Sequence, residues 1–356
     1  MARRVRRPLG PLDLRSQAIL RAVIEEYVTT AQPVGSQALV DRYGLGVSSA
    51  TVRNILAELE IAGLLTHPHT SAGRVPTDSG YRFYVESIVD AAPLPAVEQL
   101  MIRHQFGQVE FASEHWFRLA ATTLAGLTRS AGLATPAKPQ AAHIRRVDLV
   151  SVNERMASLI LVLREGAIKQ AVVTLDDGEA VDQAALNQVA ALLNERLHDL
   201  TATPAEAAIA ALDEVDPIKG IAARVGERIV RILRDYDAAA VEEVFSDGLL
   251  NVMEAPEFAQ SDKLRQVFSA LENRAYLGEL VGSVAGSGRI RIVIGAENQR
   301  QEMHDVSLIL APYGRPGRAL GVVGVLGPTR MSYPNAIGTV SFVSGLMNEL
   351  VDHLYA

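Results

Sequence analysis

The residues best placed to do chemistry are Ala50, Arg53, Asn54 and Ala57. An Arg forks onto the O6/N7 edge of guanine, an Asn pairs with the N6/N7 edge of adenine, and a small Ala fits against a thymine methyl. At about 100° per residue these four share one helix face, opposite a stripe made by Val52, Ile55, Leu56 and Leu59 at i, i+3, i+4 and i+7. Ser48 or Ser49 is a good N-cap, and Gly63 stops the helix. With Thr51, those serines crowd the helix N-terminus, where hydroxyls and open N–H groups suit a phosphate. Such chemistry reads a surface without breaking bonds.

A shorter helix must precede it to hold it. Ser36 can cap that helix, Ala38, Leu39 and Tyr43 supply apolar contacts, and Gly44 ends it before the turn Gly44-Leu45-Gly46-Val47. After Gly63, residues 64–67 and 73–75 pair as strands around 68–72, a wing carrying His69, Ser71 and Arg74 towards phosphates or the minor groove. A packing helix spans 13–30, with Leu20, Val23, Ile24 and Tyr27 inward and Arg15, Arg21, Glu25 and Glu26 towards water. A connector helix runs from Thr77 to about Asp90, its Tyr81, Tyr84, Val85 and Ile88 packing one side. The reading at this point is a winged helix-turn-helix. Such folds also bind proteins, and an exposed Arg–Asn pair also occurs on plain solvated faces, so residue spacing leaves both readings open. Residues 1–90 hold ten Arg against nine acids, net +1, while the rest nets −8 in a chain of −7. The head is thus the less acidic part, as phosphate binding requires.

Val34-Gly35-Ser36, the run Ser49-Ala50-Thr51-Val52-Arg53-Asn54, and residues 69–77 (HTSAGRVPT) with Gly80-Tyr81-Arg82 resemble the heat-inducible transcription repressor HrcA family. A second match, Gly327-Pro328-Thr329-Arg330-Met331 followed by Tyr333, lies far downstream, so the resemblance covers nearly the whole chain. It implies an α+β multidomain fold: a winged helix-turn-helix, a GAF-like α+β domain, and a mainly helical dimerisation domain inserted in the latter. It also implies a homodimer on the CIRCE inverted-repeat operator in double-stranded DNA, with activity tuned by the GroE chaperonin. The alternative is a regulator whose GAF-like domain senses a small molecule.

Pattern alone supports three parts within 356 residues. Residues 1–90 are the head, 91–176 and 262–356 the second domain, and 177–261 the insert. Ala91-Ala92-Pro93-Leu94-Pro95 marks the first boundary. The pattern is helical over 97–132, strand-like over 144–152, 158–164 and 167–175 as an antiparallel meander, and helical to about 237. A strand or loop over 244–253 and a helix over 263–280 lead to strands 289–294, 305–311 and 319–326, then a last helix over 335–354.

The function classes excluded are informative. No cysteine is present, so disulfides, thiolate metal sites and Cys nucleophiles fall away. No apolar run approaches the roughly 18 residues of a membrane helix, and the basic start lacks an apolar signal region, so a cytoplasmic location is expected. His67 and His69 make a weak metal signal, and neither a metal nor a cofactor is expected. The glycine run 282–288 lacks the Lys-Ser/Thr of a phosphate loop and reads as a hairpin connection. Glycines within 320–326 read as allowing close strand packing. Arg330 reads either as a structural Arg paired with an acid or as a functional group. No catalytic constellation is found, and no enzyme is expected. Arg3, Arg4, Arg6 and Arg7 form either a solvated tail or a DNA-following arm.

Overall fold

Asp13 accepts a hydrogen bond from the Ser16 N–H at 2.7 Å and so starts α1 (Leu14–Thr30) in the computed structural model. The structure describes residues 12–354 except 69–72, 110–113, 138–140, 154, 165–166, 176–180, 213–215, 239–243, 259–266, 268–275, 277–279, 281, 285–287 and 316–318. The four arginines of 1–7 therefore lie outside the described residues. After α1 come α2 (Ser36–Tyr43), α3 (Ser49–Ile61), the two-residue strands β1 (Leu65–Thr66) and β2 (Val75–Pro76), and α4 (Asp78–Ser87). Ile19, Leu20, Val23 and Ile24 of α1, Leu39 of α2 and Val52, Leu56 and Leu59 of α3 are all buried, and α1 packs against both α2 and α3. Burying each such side chain contributes roughly 1.5–3 kcal/mol.

Gly63, at φ +77°, ends α3 in the left-handed region. The Leu64 N–H returns to the Leu59 carbonyl at 2.9 Å and the Gly63 N–H to that of Glu60 at 2.9 Å. These two bonds satisfy carbonyls that the helix end leaves open, and the chain turns directly into β1. Antiparallel pairing sets Leu65 opposite Pro76 and Thr66 opposite Val75, while Val34 and Arg74 exchange both backbone bonds at 2.9 Å. Three expectations shift. Gly35, not Ser36, occupies the N-cap of α2, the ribbon is shorter than 64–67 with 73–75, and α4 stops at Ser87. Glu26, expected in water, is buried and paired with Arg42.

The chain continues through α5 (Ala96–Gly107), α6 (His115–Thr128) and β3 (Ala131–Ala134). Next come β4 (Ile144–Asn153), β5 (Met156–Leu163), β6 (Ile168–Thr174), α7 (Gln183–Leu197), α8 (Ala202–Ala210) and α9 (Pro217–Ala238). It closes with β7 (Phe245–Asp247), α10 (Leu249–Met253), β8 (Arg291–Ile294), β9 (Val306–Arg315), β10 (Ala319–Pro328) and α11 (Tyr333–Leu354). Five strands form one sheet in the order β7-β3-β10-β9-β8, and β4-β5-β6 form a separate antiparallel sheet. The expected single helix over 97–132 is two helices and a strand. Gly132 lies in β3, where a Cβ would sit 2.0 Å from the Ala121 carbonyl of α6, so helix and strand touch through backbone. Gly282, Ser283 and Val284 are helical, where a hairpin connection was expected.

Two compact units result: Met1–Pro136 with Glu243–Gly314 and Gly321–Ala356, and Ala137–Glu242 with Arg315–Leu320. The second unit takes in the meander as well as α7, α8 and α9, so its limits differ from the 177–261 expected for an insert. The reason is which face each strand buries. Val147, Leu149, Leu159 and Leu161 point inward onto Leu186, Val189 and Leu193 of α7 and Val225 and Ile229 of α9. The other face of this small sheet leaves Val150, Val152, Ile168 and Val172 between 47% and 66% exposed.

Candidate nucleic-acid interface

Helix α3 presents its predicted face outward. Val52, Ile55, Leu56 and Leu59 are at most 9% exposed, whereas Ala50, Arg53 and Asn54 are exposed and Ala57 is half-buried. Neither Arg53 nor Asn54 makes a hydrogen bond or ion pair with a described residue. A guanidinium and an amide with all donors open, on a helix anchored by four apolar side chains, can meet planar polar edges without first breaking an internal contact. The N-terminus of α3 is organised by hydroxyls. Ser48 is its N-cap and accepts from the Thr51 N–H at 3.2 Å, with Thr51 Oγ1 at 3.0 Å. Ser49 Oγ lies 2.9 Å from Ser36 Oγ and ties the start of α3 to the start of α2. Ser48, Ser49 and Thr51 thus set the helix start, with Ser48 the most exposed of them.

The β1–β2 ribbon differs from its sequence reading as a wing. Arg74 turns back onto Glu60 of α3, Nη2 to Oε2 2.9 Å, with its side chain 19% exposed. His67 Nδ1 bonds the other oxygen of the same carboxylate. Glu60 therefore gathers both Arg74 and His67, and Arg74 is not an open cation in this structure. His69 and Ser71 lie outside the described residues. Among the described residues no group of three or more His, Asp or Glu side chains is arranged to hold a metal ion. No helix among them is long and apolar enough to cross a membrane.

Arg82 escaped the pattern reading although it lies in a matched motif, whereas Arg330 was singled out there. Arg82 of α4 donates to the Ile292 carbonyl at 2.7 Å and through Nε to Glu297 at 2.8 Å. The hydrogen bond and charge of Glu297 hold the Arg82 guanidinium above its ordinary value despite burial. Arg330 bonds Glu257 and donates to the Val28 carbonyl at 3.1 Å, the structural pairing that was one of its two readings. Between these contacts the Tyr81 and Tyr333 rings lie 5.6 Å apart, and burial pushes both hydroxyls well above their ordinary values. Sequence distance hides such pairs: 215 positions separate Arg82 from Glu297. Only the place of Arg82 inside a motif could have flagged it.

A family model described as the HrcA protein C terminal domain matches residues 114–337. A "Heat-inducible transcription repressor HrcA" of Roseiflexus castenholzii is 40% identical over 343 residues, 96% of this chain and 95% of its own. The same description belongs to a relative from Herpetosiphon aurantiacus, 41% identical over 346 residues, covering 97% of this chain and 96% of that one. A solved structure described as a hypothetical protein at 2.2 Å resolution shares the fold, with 23% identity, a TM-score of 0.58, and coverage of 96% of this chain and 98% of its own. The head motifs, the distant Gly327–Met331 signature and these matches agree, and the chain belongs to the HrcA family of heat-inducible transcription repressors.

Proposed function

We propose that this chain represses heat-shock operons by binding, as a homodimer, the CIRCE inverted repeat in double-stranded DNA. The observation that carries the reading is the exposed Ala50–Arg53–Asn54 face of α3, whose two polar side chains have no described partner. On this reading the head is a winged helix-turn-helix. Helix α3 enters the major groove, where Arg53 and Asn54 meet base edges and Ala50 and Ala57 offer room for thymine methyls. Ser48 and the N-terminus of α3 face a phosphate, and His69 and Ser71 in the wing meet the backbone.

Two copies are needed because an inverted repeat has two-fold symmetry and its half-sites lie whole helical turns apart. The surface best suited to join them is the outer face of β4-β5-β6, where Val150, Val152, Ile168 and Val172 are 47–66% exposed. Such a patch on a sheet is costly in water and is covered by a second copy of itself. The five-stranded sheet with its helices is the GAF-like domain of this reading. The family resemblance adds the GroE chaperonin as the partner that brings the repressor to its binding-competent form. When heat diverts the chaperonin to unfolded proteins, repressor activity falls. No catalytic step is assigned.

The test is a mobility-shift titration of purified protein against a duplex carrying the CIRCE repeat and a scrambled duplex, with and without chaperonin. Preference for the repeat supports the reading, and equal binding to both duplexes overturns it.

A further inference from the structure

The head does not hang freely from the rest of its unit. Arg330 reaches from the turn after β10 to the last turn of α1, where the Val28 carbonyl is one of those the helix end leaves open. Its other edge binds Glu257, and both side chains are mostly buried, 17% and 27% exposed. A cation at a helix C-terminus also matches the helix dipole. On the far side of the Tyr81–Tyr333 contact a second clamp closes: Arg82 on Ile292 and Glu297, and Asp78 accepting from the Ala296 N–H at 2.8 Å.

These clamps grip the first and last helices of the head, α1 and α4, and α1 is the helix on which α3 rests. Two points fix an angle where one would leave a pivot. Glu257 Oε2 and the Tyr81 hydroxyl are buried in this seam with no hydrogen-bond partner among the described residues, so opening it returns two polar atoms to water.

We propose that Arg330 and Arg82 are positioning residues that hold each reading head at one angle, so that a dimer accepts one half-site spacing. This rests on the repressor reading above. One base pair added to the spacer turns a half-site by about 35° and moves it about 3.4 Å. A rigidly held head cannot follow both changes, and a released head can.

The experiment uses full-length protein and fluorescence anisotropy with labelled duplexes: the CIRCE repeat, the same repeat with one base pair added to or removed from its spacer, and a single half-site. Because removing one partner of a buried ion pair strands the other, the pair is replaced together as Arg330→Met/Glu257→Met. Arg82→Ala is the second variant. Wild type is expected to lose at least about tenfold in affinity when the spacer changes, since simultaneous engagement is forfeited. Both variants are expected to bind the half-site as wild type does while discriminating between spacers by less than about threefold. Unchanged spacer discrimination in the variants, with wild type still preferring the repeat, overturns the positioning inference alone. Loss of half-site binding in both variants overturns it too, because the clamps would then act on the fold of the head itself. Absence of any wild-type preference for the repeat overturns the repressor reading beneath it.

Discussion

Arg53 and Asn54 are neighbours on one exposed turn, and neither side chain has a described partner. Arg42 is held by Glu26, Arg74 by Glu60, Arg82 by Glu297 and Arg330 by Glu257. Arg53→Ala and Asn54→Ala are each expected to weaken operator binding by about 1–3 kcal/mol and relax base preference. Their thermal unfolding should match wild type, since neither side chain supports the core. Arg53 was legible because helix period is local, so an inward stripe names the outward face. Arg74 was not: a sequence shows a cation in a loop but not the Glu60 carboxylate that the folded ribbon brings to it.

Glu297 supplies a pH prediction at the same scale. Burial raises its pKa, but the Arg82 hydrogen bond, the Ile294 N–H and the Arg82 charge outweigh that and hold it below the ordinary 4.5. A carboxyl depressed in the folded chain stabilises above its unfolded value and loses that contribution as pH falls through the folded value. Glu297→Gln is therefore expected to be less stable than wild type at neutral pH, with the gap closing as pH falls below 4.5. Denaturant titrations at stepped pH measure it.

Among the elements, the junction from α3 to α4 concentrates the most structure in the fewest residues. Thr77 caps α4 by accepting from the Gly80 N–H at 3.1 Å and donates to the Gly63 carbonyl at 2.7 Å, joining the end of α3 to the start of α4. Thr77→Ala is expected to lower stability by about 1–2 kcal/mol, and Thr77→Ser to keep most of it. Calorimetric melts of the three proteins decide this. The cap was readable in advance because Thr after Pro and before a Tyr stripe is a local signal. Strand β3 was not. Ala131-Gly132-Leu133-Ala134 is buried throughout and shows no alternation, so a period-based reading merges it with α6. The meander β4-β5-β6 was visible strand by strand, yet period two does not say which elements cover its inner face. The compact unit that holds the meander therefore starts earlier than the expected insert.

At the scale of the whole molecule, recognition of an inverted repeat requires two heads held at a defined separation. Val150→Asp/Val172→Asp places charge on the outer face of the small sheet without touching its core. That double variant is expected to sediment as a monomer and to lose about 10²-fold or more in affinity for the repeat, because the second head no longer binds intramolecularly. Its affinity for a single half-site should be unchanged.

Dimethyl sulfate protection of guanine N7 across the CIRCE repeat with bound protein reports directly whether two copies of α3 occupy the major groove. Two protected patches are expected in the major groove, related by the two-fold axis of the repeat, each weakened in Arg53→Ala. A footprint confined to one side of the axis, or one that Arg53→Ala leaves intact, would contradict that placement of α3.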